Sequence, residues 1–232
     1  MGQKKLTLCG ENMKQYIKQI NLCIKVVIIT IGVLLAVLYL VPGTQFYKIW
    51  SYLATIALAF APEIWRYVFR LKLSDQTELA YYLFLIPAMI MGIDLDVYKA
   101  WAPFDKIVHC GSGVLAAVVA WEILEQVFAK KQMPAKWFRC LFMVCFATMT
   151  AAAWECFEYG SDKLFGTHMQ ELISVGLDDT MQDVLVAIAG SIITAGLIVA
   201  ISKSMPAPKK KSAKSVTAAK SAKSTTTTKK KS

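Results

Sequence analysis

Charged residues are scarce in this chain. Only 18% of its 232 residues are Asp, Glu, Lys or Arg, whereas 56% are hydrophobic. A soluble domain carries about 25% charged residues, so the composition excludes an ordinary soluble globular protein. The apolar residues form long runs without the alternation that marks the strands of a membrane barrel. We therefore expect an all-α, polytopic membrane helix bundle.

Several chemical signatures are also missing. The six cysteines form no CxxC pair and are scattered through apolar segments, which argues against a zinc site or a disulfide framework. The sequence contains no phosphate-binding GxxxxGK[ST] loop, no GxSxG elbow and no HExxH motif. A nucleotide-driven pump or a hydrolase of the soluble type is therefore not expected. The first apolar run, residues 20–41, is too long for the core of a cleavable signal peptide.

Six apolar runs predict about six transmembrane helices, each near the ~20 residues that cross ~30 Å of hydrocarbon. The expected spans are about 20–42, 46–63, 79–97, 105–128, 137–159 and 180–202. The second span is the weakest, because Pro62 and Glu63 end it early. The expected domains are a cytoplasmic N-terminal segment (1–19), a six-helix membrane domain (20–202) and a disordered cytoplasmic tail (203–232).

The distribution of basic residues predicts the orientation of the chain. If the N-terminus lies in the cytoplasm, 22 of the 26 Lys and Arg residues fall on the inner side. Loops rich in Lys and Arg stay on the cytoplasmic side of a membrane. Both termini are therefore predicted to be cytoplasmic, and the expected location is the plasma membrane.

The C-terminal tail supplies most of the net charge of +10. Residues 205–232 contain nine lysines and no acid, and they hold too few large apolar side chains to build a core. Such a tail adheres to anionic lipid, binds nucleic acid or is simply solvated, and the sequence leaves these three options open. It identifies no soluble protein partner.

Three short pairs of ionisable residues fall near the predicted outer ends of three spans. Within each pair the spacing is three or four residues, so both members lie on one side of a helix. Ionisable groups inside a membrane segment are costly and usually mark function. The pairs are Asp105 and His109, Glu155 and Glu158, and Asp179 and Asp183.

Three chemistries fit this cluster. The first is a divalent cation held by carboxylates and imidazole, the second is metal-free acid/base catalysis, and the third is a proton or cation relay. The candidate catalytic residues are His109, Asp105, Glu155, Glu158 and Asp183. The candidate metal ligands are Glu155, Glu158, Asp162, Asp179, Asp183 and His109. Loop residues that could complete the site are His168, Gln170 and Glu171.

The same segments resemble a known family. The runs FDKIVHCGSG, AAAWECFEYGSDKLFGTHMQ and GLDDTMQDVLVAIAG are similar to the YjdF-like bacterial integral membrane proteins and, more distantly, to the VanZ-like membrane proteins. The resemblance covers roughly residues 50–200 and departs from the family pattern at Cys110 and Gly111. It implies a membrane fold and a polar site but no particular reaction. The matching positions are Asp105, His109, Gly113, Glu155, Glu158, Asp162, Gln170, Asp179, Thr180 and Asp183.

Three classes of function remain open at this point. The leading one is a plasma-membrane protein whose site at the outer leaflet binds or processes an amphiphilic, lipid-linked envelope substrate. The second is a small proton- or cation-coupled transporter. The third is a structural membrane protein without catalysis, in which the acids only hold helices together.

Overall fold

The structure is a computed structural model that describes residues 2–40, 46–94, 97–129, 132–167, 169–170 and 176–202. The predicted tail (203–232) and two candidate site residues, His168 and Glu171, lie outside these ranges. Every regular element in the described ranges is a helix, so the predicted all-α class is confirmed.

Eight α-helices and one π-helical segment make up the described part of the chain. A π-helical stretch, Ile86–Asp94, directly continues α4. The α-helices are α1 (Gly2–Leu38), α2 (Phe46–Ala59), α3 (Ala61–Phe69), α4 (Asp75–Leu85), α5 (Val97–Ala100), α6 (Pro103–Val127), α7 (Lys136–Phe165) and α8 (Gly176–Ile201).

Local sequence explains several helix boundaries. Pro62 stands in the first turn of α3, where its missing N–H costs nothing, and it separates α3 from α2. Ser74 caps α4, because its side-chain oxygen accepts a hydrogen bond from the Thr77 amide at 3.1 Å. Gly166 ends α7 in the left-handed conformation (φ 63°), and its amide donates to the carbonyl of Asp162.

Four described helices are long and apolar enough to cross a membrane. They are Glu11–Leu38, Pro103–Val127, Lys136–Phe165 and Leu177–Ile201. The predicted second span contains only the 14-residue α2, because this helix ends at Ala59, ahead of Pro62. The predicted third span is divided between α4 and the π-helical segment. The count of six spans therefore stays a prediction, while a membrane protein with several apolar helices is established.

The first helix is longer than the sequence suggested. It runs without a break from Gly2 to Leu38. Residues 2–19, which were assigned to a separate cytoplasmic segment, are thus the first half of the same helix that contains the first span.

The helices pack in two groups. In one, α1, α2 and α4 share an apolar core, whose most buried members include Ile28, Ala59, Tyr82 and Met89. In the other, α6, α7 and α8 pack against one another around Ala117, Ala120, Leu124, Met143 and Ala195. The small residues in this second core allow the three helices to approach closely.

Glycines set the contact between α6 and α8. A Cβ atom added at Gly113 of α6 would overlap the backbone of Ala187 in α8. A Cβ added at Gly190 of α8 would crowd the Cys110 carbonyl oxygen of α6. Gly111 has no such role, because a Cβ added there would meet the Phe84 ring at an ordinary 3.5 Å.

The ends of the bundle are distinct. At the end that we call the site end, α6 and α8 begin and α7 finishes. The start of α2 is joined to it, because Trp50 Nε1 donates to Ser161 Oγ at 2.9 Å and its ring stacks on Phe165. At the opposite end, Glu122 of α6 binds the N-terminus of α4. Its carboxylate accepts hydrogen bonds from the Ser74 amide (2.8 Å) and the Thr77 hydroxyl (2.6 Å).

Candidate functional site

A lysine lies at the centre of the polar cluster at the site end. The Lys106 ammonium is 2.5 Å from Asp179 Oδ1, 2.7 Å from Asp183 Oδ1 and 3.1 Å from Asp105 Oδ2. These are hydrogen-bonding distances, so the three N–H donors of the ammonium have three carboxylate partners. One positive charge thus joins the first turns of α6 and α8.

His109 lies one turn further into α6 and is buried, with 6% of its surface exposed. Its Nε2 is 3.5 Å from Asp105 Oδ1 and 3.9 Å from Asp183 Oδ1, and its Nδ1 is 3.8 Å from Glu155 Oε1. All three distances exceed that of an ordinary hydrogen bond. The imidazole therefore stands among three carboxylates, one from each of α6, α7 and α8, close to all of them.

Glu155 is the acid that α7 contributes, and it is buried with 6% exposure. Its Oε1 atom is buried and accepts no hydrogen bond from any described residue. A buried polar atom without a partner is costly and calls for an explanation. Together with His109, Glu155 forms the part of the cluster whose hydrogen-bonding capacity Lys106 does not satisfy.

Glu158 follows Glu155 on α7 but has its own partner. The indole Nε1 of Trp154 donates a hydrogen bond of 2.7 Å to Glu158 Oε1. Trp154 thus holds the Glu158 carboxylate within one turn of α7.

Asp162 organises the chain after α7 rather than contacting His109. Its Oδ1 accepts hydrogen bonds from the Thr167 hydroxyl and from the Met169 amide at 2.8 Å, and its Oδ2 accepts one from the Gln170 amide at 3.1 Å. Gln170 in turn donates to the Thr180 hydroxyl of α8 at 3.3 Å. Asp162 thereby holds Thr167, Met169 and Gln170 close to the end of α7.

The structure brings together most of the predicted site residues. Asp178 and Asp179 both lie in the first turn of α8, which begins at Gly176. Asp179 binds Lys106 there, whereas Asp178 is exposed. The predicted site residues that surround Lys106 and His109 are Asp105, Glu155, Asp179 and Asp183.

Sequence reasoning missed Lys106. The candidate site residues included no lysine, although Lys106 directly follows Asp105 within the FDKIVH run. The signal was present, because the five acids of the three pairs, predicted to lie at one depth, require a compensating charge. Lys106 supplies a fixed positive charge at that place.

The cluster was also tested for its fit to a cation. The nearest ligand atoms of Asp105, His109 and Asp183 all lie within 4.8 Å of one another. However, the Lys106 ammonium already binds two of these three residues, at 2.7 Å and 3.1 Å. A divalent cation between them would repel this ammonium at close range. The residues therefore fit a divalent cation poorly while Lys106 keeps its position.

Membrane-length helices surround a buried histidine, a partly buried lysine and several carboxylates. This arrangement defines the class of the molecule as a polytopic membrane protein with a polar site at one end. The chain belongs to the family described as "Predicted membrane protein (DUF2238)", whose model matches residues 23–204. That range includes every site residue discussed above. No curated protein and no solved structure matches the chain. The comparisons thus identify a membrane protein of uncharacterised function.

Proposed function

We propose that this protein binds and processes an amphiphilic, lipid-linked envelope substrate at the site end of the bundle. The observation that supports the proposal is the pair formed by His109 and Glu155, both buried where α6, α7 and α8 meet. A basic nitrogen 3.8 Å from a buried acid oxygen that accepts no hydrogen bond from any described residue is suited to proton transfer.

The residues around this pair divide into two roles. His109 acts as the general base or acid, and Glu155 exchanges a proton with it or orients it. Lys106 holds Asp105, Asp179 and Asp183 in position. Glu158 shapes the α7 side of the site through Trp154. In apo enzymes the hydrogen bonds of such groups are often long and shorten when substrate binds.

An amphiphilic substrate suits the surroundings of the site. Large apolar side chains near the site end are exposed on the bundle surface, among them Ile107, Met181 and Leu185 at 50% exposure or more. Such side chains face lipid when the bundle is in a membrane. A substrate with an apolar tail and a polar head reaches the cluster from the bilayer without leaving it.

The orientation of the bundle is part of the proposal. The excess of Lys and Arg at the opposite end favours a cytoplasmic location for that end, so the site end faces the outer leaflet of the plasma membrane. Six spans with both termini inside agree with the same distribution. The YjdF-like and VanZ-like resemblances add a bacterial envelope context to this proposal.

Transport is the second candidate, and the core of the bundle argues against it. A relay needs polar groups along the whole path. Below His109 the buried residues of α6 are Gly113, Ala116, Ala117, Ala120 and Leu124. Glu122, near the other end of α6, is already bonded to Ser74 and Thr77. The described residues thus offer no continuous line of polar side chains between the two ends.

A divalent cation is a further option that the sequence raised. The position of Lys106 disfavours a bound divalent cation, because the ammonium would repel it at close range. Elemental analysis of the detergent-purified protein, alongside the Asp183→Asn variant, tests this option directly. If the protein contains a stoichiometric metal that the variant lacks, the proposed acid/base mechanism would have to be replaced by a metal-dependent one.

Substitution at the pair tests the proposal. His109→Ala and Glu155→Gln should each abolish the cellular phenotype that depends on this protein, such as resistance to an envelope antibiotic. Glu155→Gln should stay folded, because it removes one of several mutually repelling carboxylates. His109→Ala should lower the thermal stability of the bundle without unfolding it, because it leaves a cavity at one buried position. The measurements are complementation of a deletion strain and thermal unfolding in detergent.

Asp178→Asn is the matched control, since Asp178 is exposed beside Asp179 and should tolerate the change in both assays. If the pair variants unfold and show no separate loss of function, the cluster is structural and the proposal fails.

A further inference from the structure

A cavity lies at the opposite end of the bundle, between α6, α7 and α8, and the proposed function does not use it. Its volume is about 480 Å³. The walls are mainly apolar and aromatic and include Trp121, Phe128, Met133 and Ile198. Arg139, from the first turn of α7, also lines the cavity.

Arg139 is an unusual residue for such a position. Only 4% of it is exposed, although arginine is rarely buried without a carboxylate partner. Its Nη1 donates to Ser202 Oγ at 3.1 Å, and its guanidinium lies 5.8 Å from the centre of the Trp121 ring. Its Nε is buried and has no hydrogen-bond partner among the described residues. The guanidinium therefore has a donor and a full positive charge that the described protein does not neutralise.

The charges near the cavity favour an anionic ligand. Glu125 is the one acid among the described residues that line it, and this side chain is exposed and forms no ion pair with Arg139 in the described structure. A buried guanidinium without a carboxylate partner among the described residues is an arrangement that recognises phosphate.

We propose that this cavity binds the phosphate headgroup of an anionic phospholipid, with Arg139 as its anchor. The guanidinium fork presents two N–H donors to one phosphate, and the unpartnered Nε supplies one of them. The acyl chains lie against the apolar walls formed by residues such as Phe128 and Ile198. Basic pockets between membrane helices are known to hold anionic headgroups in this way. This site is separate from the His109 cluster, so either proposal can fail without the other.

Lipid binding to the full chain in detergent micelles tests the proposal. Native mass spectrometry measures the affinity for phosphatidylglycerol and, in parallel, for phosphatidylcholine of the same chain length. Phosphatidylglycerol should bind at least tenfold more tightly. Arg139→Gln should weaken phosphatidylglycerol binding roughly tenfold, the loss expected for hydrogen bonds to a charged group.

Lys136→Gln is the matched control, because Lys136 is exposed one turn before Arg139 on the same helix. It should change the affinity less than about twofold, as expected for a screened surface charge. Equal losses in the two variants would show general attraction to basic residues and would overturn the proposal. Equal binding of the two lipids would overturn it as well.

A second variant, with the opposite expected effect on lipid affinity, tests the proposal if Arg139→Gln does not fold. Glu125→Gln removes an exposed carboxylate from the cavity wall and should tighten phosphatidylglycerol binding by roughly threefold. Unchanged or weaker binding would contradict an anion site. Inorganic phosphate is the third ligand tested. Competition by phosphate at millimolar concentration would identify the ligand as a free oxyanion and reject the lipid.

Discussion

At the scale of single residues, Lys106 provides the positive charge that allows several carboxylates to lie close together. Its ammonium binds Asp105, Asp179 and Asp183, which come from two helices, and so removes most of the repulsion between them. His109 and Glu155 stand beside this group without a short hydrogen bond between them. The cluster therefore contains a satisfied part that holds the helices and an unsatisfied part that is suited to chemistry.

Lys106→Met should destabilise the bundle because it leaves three carboxylates uncompensated. Breaking a partly buried ion pair in this way costs about 3 kcal/mol. Adding Asp179→Asn should recover at least half of the loss in thermal stability, since one repelling charge is removed. The measurement is thermal unfolding in detergent of the single and double variants.

Lys163→Met, at an exposed position near the end of α7, should leave the unfolding temperature unchanged. The role assigned to Lys106 would be contradicted if Lys106→Met left the unfolding temperature unchanged. It would also be contradicted if the double variant unfolded at a lower temperature than the single variant.

At the scale of elements, the contact between α6 and α8 positions the site. Gly113 and Gly190 let the two backbones touch one turn beyond His109, on the side away from the site end. This contact determines the distance between Lys106 on α6 and its two partners on α8. At the opposite end of the bundle, Glu122 of α6 accepts hydrogen bonds from the start of α4. Helix α6 is thus held at both ends by polar contacts and in the middle by small residues.

Gly113→Ala should force α6 and α8 apart, because the new methyl group would overlap the Ala187 backbone. Overpacking of this kind costs about 1–3 kcal/mol. The variant should unfold at a lower temperature and should also lose the function tested at His109, since the Lys106 contacts depend on the same helix pair.

Gly196→Ala in α8 is the control, because nothing lies within 4 Å of the added Cβ. It should be neutral or slightly stabilising, by up to about 1 kcal/mol, since alanine favours helix. A Gly113→Ala variant as stable as this control would show that the close approach is not required.

At the scale of the whole molecule, the two ends have different chemistry. The site end carries the acid, lysine and histidine cluster, and the opposite end carries the buried Arg139, with the exposed Lys136 one turn before it. The exposed faces between them are apolar, with Leu34, Ile193 and Leu197 more than half exposed. Such faces are stable only against lipid. The orientation of this asymmetric bundle decides which leaflet each end meets.

Cysteine labelling in intact cells tests that orientation. In a background without the six native cysteines, Ala102→Cys and Leu164→Cys at the site end should react with a membrane-impermeant maleimide. Gln132→Cys at the opposite end should react only after the cells are permeabilised. Helix α6 connects residues near 102 to those near 132 across the bilayer, so the two ends must differ. Labelling of Gln132→Cys alone in intact cells would reverse the proposed topology.

The sequence by itself determined the class of the protein, the approximate position of its long helices and the end where the acids gather. These follow from local properties, namely the length of apolar runs, the positions of proline and the spacing of ionisable residues. Only the tertiary structure decided which acids share Lys106, that Asp162 bonds to Thr167, Met169 and Gln170, and that Glu122 bonds to Ser74 and Thr77 at the start of α4. The physical reason is distance along the chain. Lys106 meets partners 73 and 77 residues away, and such contacts depend on how helices pack rather than on any local pattern.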